Sequence, residues 1–330
     1  MRSLRKYVVK SAFKSYLPDS SDFELVEEAI PDLKDGEFLV QTEYISVDPY
    51  MRSFARDSVP YTQFGYQVGK VVDSRHVSYP TGIYVVSHST WTDHVVLTDA
   101  PDDMFKVVPY QPQVGNLPIS YSLGALGMPG ITAYLGLLKI CKPKSGDVVC
   151  VTSAAGAVGS LVGQIAKIKG CTVIGFAGTD EKVSVLTHEL GFHYTFNYKT
   201  TSHVKEILKS AAPDGIDCYF DNVGGDLAAD IIECMKPNGR VAICGSISTY
   251  GSKNISRSKS KKSISVTIES FGFPQWNESE KTGALNEIKK WLENGDIKAR
   301  ETITNGFEEL PNALIGMLKG ENIGKAIVKV

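Results

Sequence analysis

One short stretch restricts the fold of this chain more than any other. Asp147-Val148-Val149-Cys150-Val151 is an unbroken apolar run of strand length, and from Val158 to Lys169 the apolar residues fall at 158, 161, 162, 165, 166 and 168 until Gly170 stops the pattern. The period changes from that of a strand to that of a helix within six residues. Between the two lies Ala154-Ala155-Gly156-Ala157-Val158-Gly159, the G-x-G-x-x-G pattern with alanine at its first glycine. Gly156 lets a pyrophosphate approach the backbone with no Cβ in the way, and Gly159 permits close packing of helix on strand. The helix N-terminus offers unpaired N–H groups and positive dipole to the anion. A tight turn alone could carry such glycines; the strand before, the helix after and the units that follow favour a dinucleotide site.

Those units set the architecture. Strands are expected at 172–176, 194–196, 217–220 and 240–244, with helices at 180–190, 202–212 and 226–236. Together with 147–151 they make a five-stranded, doubly wound parallel sheet. Residues 1 to about 120 read differently, as short strands such as 37–42, 67–72 and 81–86 punctuated by Gly36, Pro60, Pro80 and Pro101. The tail 322–330 returns to strand texture and is expected to rejoin that first region. The class is therefore α/β, a β-rich domain plus a Rossmann domain. Residues 1–122 completed by 300–330 form the first, and 123–299 the second.

The second strand ends in Phe176-Ala177-Gly178-Thr179, where an NAD binder places an acid for the ribose 2′-hydroxyl. Lys182 follows, one turn into the next helix, within reach of a 2′-phosphate. A charge-assisted contact of about 1.5–3 kcal/mol there favours NADPH over NADH. Thirty-five Lys plus Arg against thirty-seven Asp plus Glu leave a net charge of −2, which gives no overall field for nucleic acid or an anionic membrane. No apolar run is long enough to span a bilayer. The six cysteines, at 141, 150, 171, 218, 234 and 244, include no close pair and read as reduced thiols of a cytoplasmic protein. The first eighteen residues are basic, like a transit peptide, but Lys6-Tyr7-Val8-Val9 has strand residues and is read as part of the fold.

Longer segments carry a family likeness: Val47-Asp48-Pro49-Tyr50-Met51-Arg52, Gly127-Met128-Pro129-Gly130-Ile131-Thr132-Ala133-Tyr134, 154–170, 217–225, 243–250 and 316–320. On these the chain resembles the zinc-independent medium-chain dehydrogenases/reductases. The resemblance implies a GroES-like first domain, a Rossmann second domain, NADPH as cofactor and a cytoplasmic homodimer. By position it implies phosphates on Ala154, Ala155, Gly156 and Ala157, and a 2′-phosphate at Lys182 and Tyr198. It also places Asn222 near the cofactor, Cys244, Gly245, Ser246, Ile247, Ser248, Thr249 and Tyr250 around the nicotinamide, Phe271, Gly272 and Phe273 along the ring, and Asn322 over it from the tail. Plainer readings stand beside these: Asn222 as a helix cap, Tyr198 and Phe271 as core aromatics. Family members carry a tyrosine after the Ser-Thr-Tyr run, whereas 251–263 has no aromatic residue but five basic ones. That stretch reads as a solvated lid, or, with Lys259, Lys261 and Lys262, as an attractor for a carboxylate.

No cysteine precedes Cys141, and Gly65-Tyr66-Gln67 stands where zinc-dependent relatives carry Gly-His-Glu. A zinc-activated alcohol is not expected, and His76, His88 and His94 read as surface imidazoles. The expected chemistry is reduction of the conjugated C=C bond of α,β-unsaturated ketones and aldehydes, including oxidised eicosanoids and lipid alkenals. Hydride adds to the β carbon and hydrogen bonds steady the enolate. The nicotinamide ribose hydroxyl and Tyr50 are the candidate donors. Alternatively Tyr50 only packs in a turn where Asp48 pairs with Arg52. A quinone reductase and a non-catalytic NADPH-binding protein are the competing functions.

Overall fold

The computed structural model describes residues 3–100, 107–250 and 265–330. The chain forms two units, Met1–Leu123 with Glu301–Val330, and Gly124–Arg300.

The first unit opens with β1 (Ser3–Val9), β2 (Phe23–Ala29) and β3 (Phe38–Ser46), then a single helical turn, α1 (Tyr50–Ser53). Strands β4 (Tyr61–Thr62), β5 (Phe64–Ser74), β6 (Tyr84–Thr90) and β7 (His94–Leu97) follow. The basic N-terminus is thus a strand, and it turns Leu4, Tyr7 and Val9 inward.

The second unit runs through α2 (Met128–Leu135), β8 (Val148–Val151), α3 (Gly159–Ile168), β9 (Thr172–Ala177) and α4 (Asp180–Ser184). It continues with β10 (Tyr194–Asn197), α5 (Val204–Ala211), β11 (Ile216–Asp221), α6 (Gly225–Glu233), β12 (Met235–Ile243), β13 (Thr267–Ser270) and α7 (Glu278–Asn294). The chain then returns to the first unit with β14 (Glu301–Asn305), α8 (Leu310–Lys319) and β15 (Lys325–Lys329).

In the first unit β2-β1-β4 form one sheet and β14-β15-β3-β5-β6 another, with β7 also on β3. The tail is integral to this unit: β15 pairs with β3, and Phe307, Leu310, Leu314 and Val328 join Tyr7, Ile45, Val47 and Trp91 in one core. In the second unit the sheet order is β10-β9-β8-β11-β12-β13, all parallel. Chain direction across the sheet reverses between β8 and β11, the position at which open α/β sheets bind their ligands beyond the carboxyl ends of the strands.

Three expectations need correction. The helix expected at 180–190 stops at Ser184 and finishes as a π-helical turn over Val185–Glu189, because Thr187 Oγ1 bonds back to Val183 and across to Thr195. The strand expected from Arg240 begins at Met235, irregularly paired with β11. The sheet has a sixth strand, β13, whose residues are exposed at its edge and therefore carry no apolar signal.

Candidate functional site

The glycine turn joins β8 to α3. Ser153 adopts φ +50°, which swings the chain so that Ala154 N–H donates to Phe176 O on β9 (2.9 Å) and Gly156 N–H to Ser153 O (3.0 Å). A Cβ on Gly159 would lie 2.3 Å from Ser153 O, and one on Gly163 1.9 Å from the Phe192 ring. Both glycines are therefore required for α3 to sit this close to the strands, with Phe192 wedged between Gly163 and Gly175. Val158 gives α3 no side-chain cap, and the N–H groups of Ala157, Val158 and Gly159 donate to no hydrogen bond among the described residues. They are the donors a phosphate requires.

At the end of β9, Thr179 accepts from the backbone N–H of Lys182 and so caps α4. The Lys182 ammonium is half-buried; burial lowers its pKa, and Lys199 nearby lowers it further against a smaller opposing pull from Glu181. Gly178 lies beside the Tyr198 ring and Lys199, since a Cβ there would be 3.4 Å from the Tyr198 hydroxyl and 3.5 Å from Lys199 Cε. Asp180 is engaged by the Asn197 amide (2.7 Å). Gly178, Lys182, Tyr198 and Lys199 thus gather at one strand end, where the charge of Lys199 bears on the Lys182 ammonium. Lys199 escaped the sequence reading. Its signal was the adjacency of strands β9 and β10, which places residue 199 beside residue 178.

At the switch point Asn222 does not cap α6, whose N-cap is Gly224. Its amide instead donates to Thr152 O (2.7 Å), and its backbone N–H to Thr152 Oγ1 (3.0 Å), which ties the ends of β8 and β11 together. Asp221 organises the loop. Its buried Oδ1 accepts from Thr152, Tyr219, Val223 N–H and Gly224 N–H at 2.8–3.1 Å. The segment from Cys244 to Tyr250 folds onto this loop through Cys244 N–H to Asp221 O (2.8 Å) and Ser248 Oγ to Val223 O (2.6 Å). Burial and the Asp221 carboxylate push the Cys244 thiol up to about 12, so it is neutral at ordinary pH.

The remaining candidates have contacts of their own. The Phe271 ring packs against Phe220, Trp276 and Gly136, and Phe273 lies under Lys281. Tyr50 and Asn322 belong to the first unit. Tyr50 starts α1 beside Phe54 and His88, and the Asn322 amide donates to Gly324 O. Asp48 pairs with Lys325 rather than Arg52; Arg52 donates to the carbonyls of Ser15 and Tyr16. His88 is no surface imidazole. It is 3% exposed, among Tyr50, Phe64 and Tyr66. His76 and His94 sit beside Asp99 and Asp93. Among the described residues no group of three or more His, Cys, Asp or Glu is arranged to hold a metal ion. The basic segment with Lys259, Lys261 and Lys262 lies outside the described residues.

Two family profiles match, "N-terminal domain of oxidoreductase" over residues 5–107 and "Zinc-binding dehydrogenase" over 157–289. Prostaglandin reductase 1 of Bos taurus is 46% identical over 98% of both chains. The chain belongs to the zinc-independent medium-chain dehydrogenase/reductase family. Another similar member is (+)-pulegone reductase of Mentha piperita, 39% identical over 91% of this chain and 90% of its own. The crystal structure of CurA from Vibrio vulnificus in complex with NADPH superposes with a TM-score of 0.89 at 32% identity, covering 99% of both chains. Membership of the family fixes the α/β class, GroES-like first domain and Rossmann second domain, that the sequence implied.

Proposed function

We infer that this chain is an NADPH-dependent reductase of the conjugated C=C bond in α,β-unsaturated ketones and aldehydes. The observation that carries the reading is its likeness, over nearly the whole chain, to reductases named for a prostaglandin and for pulegone. The geometry fits the cofactor on independent grounds. The turn at 154–159 has bare N–H groups and no room for a Cβ at Gly159, which suits a pyrophosphate. Lys182 and Lys199 with Tyr198 beside Gly178 suit a 2′-phosphate and would repel no part of it.

In this assignment Ala154, Ala155, Gly156, Ala157 and Gly159 hold the pyrophosphate. Asn222 and the segment Cys244–Tyr250 shape the nicotinamide end, and Asn322 and Phe271–Phe273 contribute backbone or amide contacts. NADPH, when bound, supplies the hydride that adds to the β carbon. The protein's own task is at the substrate oxygen, where negative charge collects. The Tyr50 hydroxyl donates a hydrogen bond there and the α carbon takes its proton from solvent. Tyr50→Phe should lower kcat with an enone roughly tenfold to a hundredfold and leave NADPH affinity unchanged.

Among the described residues β13 is an edge strand, with Ile268 50% exposed, and an edge of this kind favours pairing with a second copy, which supports a homodimer. All six cysteines are free thiols, and among the described residues no helix is long and apolar enough to cross a membrane; both accord with a cytoplasmic enzyme. The test is incubation of the protein and NADPH with an enone, an enal and a quinone, with products identified by mass. Saturated ketone and aldehyde are expected. Hydroquinone as the sole product would replace the reading by quinone reduction, and cofactor binding without turnover would reduce it to a binding protein.

A further inference from the structure

Lys325 is 3% exposed in the first unit, a position lysine occupies only when its charge is fully matched. The ammonium has three protons and three acceptors: Val47 O (2.7 Å), Ala326 O (2.6 Å) and Asp48 Oδ1 (3.2 Å). Asp48, itself 5% exposed, is completed by the Ser46 hydroxyl on Oδ2. Residues 47 and 48 lead straight into Pro49 and Tyr50. The helical turn that begins at Tyr50 has four residues and no side-chain cap at Pro49, so it has little stability of its own. What anchors its start is the ammonium on β15, together with Val47 N–H on Ala326 O (3.1 Å).

A buried ion pair adds little net stability compared with an apolar pair of the same size, but it fixes geometry tightly when every hydrogen bond is made. Glu301, opposite Lys325 on β14, is the other charged group facing it. Burial raises the Glu301 carboxyl pKa, while Ser120 and Lys325 draw it back. Burial lowers the ammonium's pKa, against the pull of Asp48 and Glu301.

We propose that Lys325 and Asp48 are positioning residues for the reaction, a buried clamp by which the C-terminal strand holds the Asp48-Pro49-Tyr50 turn so that the Tyr50 hydroxyl meets the substrate oxygen. The proposal rests on Tyr50 being that donor. The test is a double-mutant cycle on the full chain between the pair Lys325→Met/Asp48→Asn, which removes both members of the ion pair and leaves Glu301 held by the Ser120 hydroxyl, and Tyr50→Phe. The pair variant should lower kcat for an enone about tenfold with NADPH affinity and the circular dichroism spectrum unchanged. In the Tyr50→Phe background the same change should have almost no effect. An unchanged kcat in the pair variant, or a full tenfold loss repeated in the Tyr50→Phe background, overturns the clamp while leaving Tyr50's role intact. If Tyr50→Phe alone is silent, the donor assignment itself fails and the clamp with it. Should the pair variant not fold, Ser46→Ala removes only the second hydrogen bond of Asp48. It should cost about threefold, again only when Tyr50 is present; an additive loss overturns the proposal.

Discussion

At the scale of single residues, the cofactor's extra phosphate is the sharpest discriminator. Lys182→Ala should weaken NADPH roughly tenfold to a hundredfold, the worth of one charge-assisted contact, and leave NADH nearly untouched; fluorescence titration with both nucleotides checks it. Lys199→Ala should act in the same direction and less strongly. Lys182 was legible in the sequence as a candidate because an acid was missing from the end of the second strand. Lys199 was not, since nothing local places residue 199 next to residue 178 until β10 is laid beside β9. His88 shows the opposite failure: an imidazole in a strand-rich region looks like surface, and only the packing of Tyr50, Phe64 and Tyr66 reveals it as core. A separate residue-level test concerns pH. Burial raises the Asp93 carboxyl, but hydrogen bonds from His94 and from Arg5 more than reverse this and leave it at about 2, against an ordinary 3.8. A carboxylate with a depressed folded-state pKa contributes stability that is complete above its unfolded pKa and lost as the pH falls through the folded value. The wild type should therefore lose stability between pH 4 and 2 more steeply than Asp93→Asn, by ~1 kcal/mol once the partly exposed Arg5 is discounted; thermal unfolding across that range measures it.

At the scale of elements, the strand, glycine turn and helix at 148–168 could be read directly because the apolar period changes there and the glycines leave no alternative to close packing. Gly159→Ala should cost about 1–3 kcal/mol by overpacking, lower the melting temperature by several degrees and weaken NADPH binding, since its Cβ would collide with Ser153 O rather than with a yielding side chain. An unchanged melting temperature would mean that the turn relaxes freely. Element ends were less legible. A hydroxyl of Thr187 that bonds to Thr195 turns the end of one helix into a π turn, a tertiary effect absent from local sequence. β13, Thr-Ile-Glu-Ser, reads as loop because its residues are exposed among the described residues and burial there demands no apolar run. The role of Asp221, four hydrogen bonds to one oxygen, was likewise hidden, though its neighbour Asn222 was singled out.

At the scale of the whole molecule, the tail's strand texture pointed to a chain that returns to its first domain, and β15 against β3 is that return. It gives the C-terminal strand a chemical task as well as a structural one, through Lys325. The edge strand β13 leads to an association test: Ile268→Lys should convert a dimer to monomer in light scattering, and an unchanged mass would place the interface elsewhere. Hydride delivery to the β carbon of an enone is the reaction proposed for the molecule. It is tested most directly by running the reaction with NADPH deuterated at the transferable position and locating the label by NMR. Deuterium at the β carbon of a saturated ketone is the predicted result. Deuterium at the carbonyl carbon of an allylic alcohol, or no transfer to the enone at all, would contradict it.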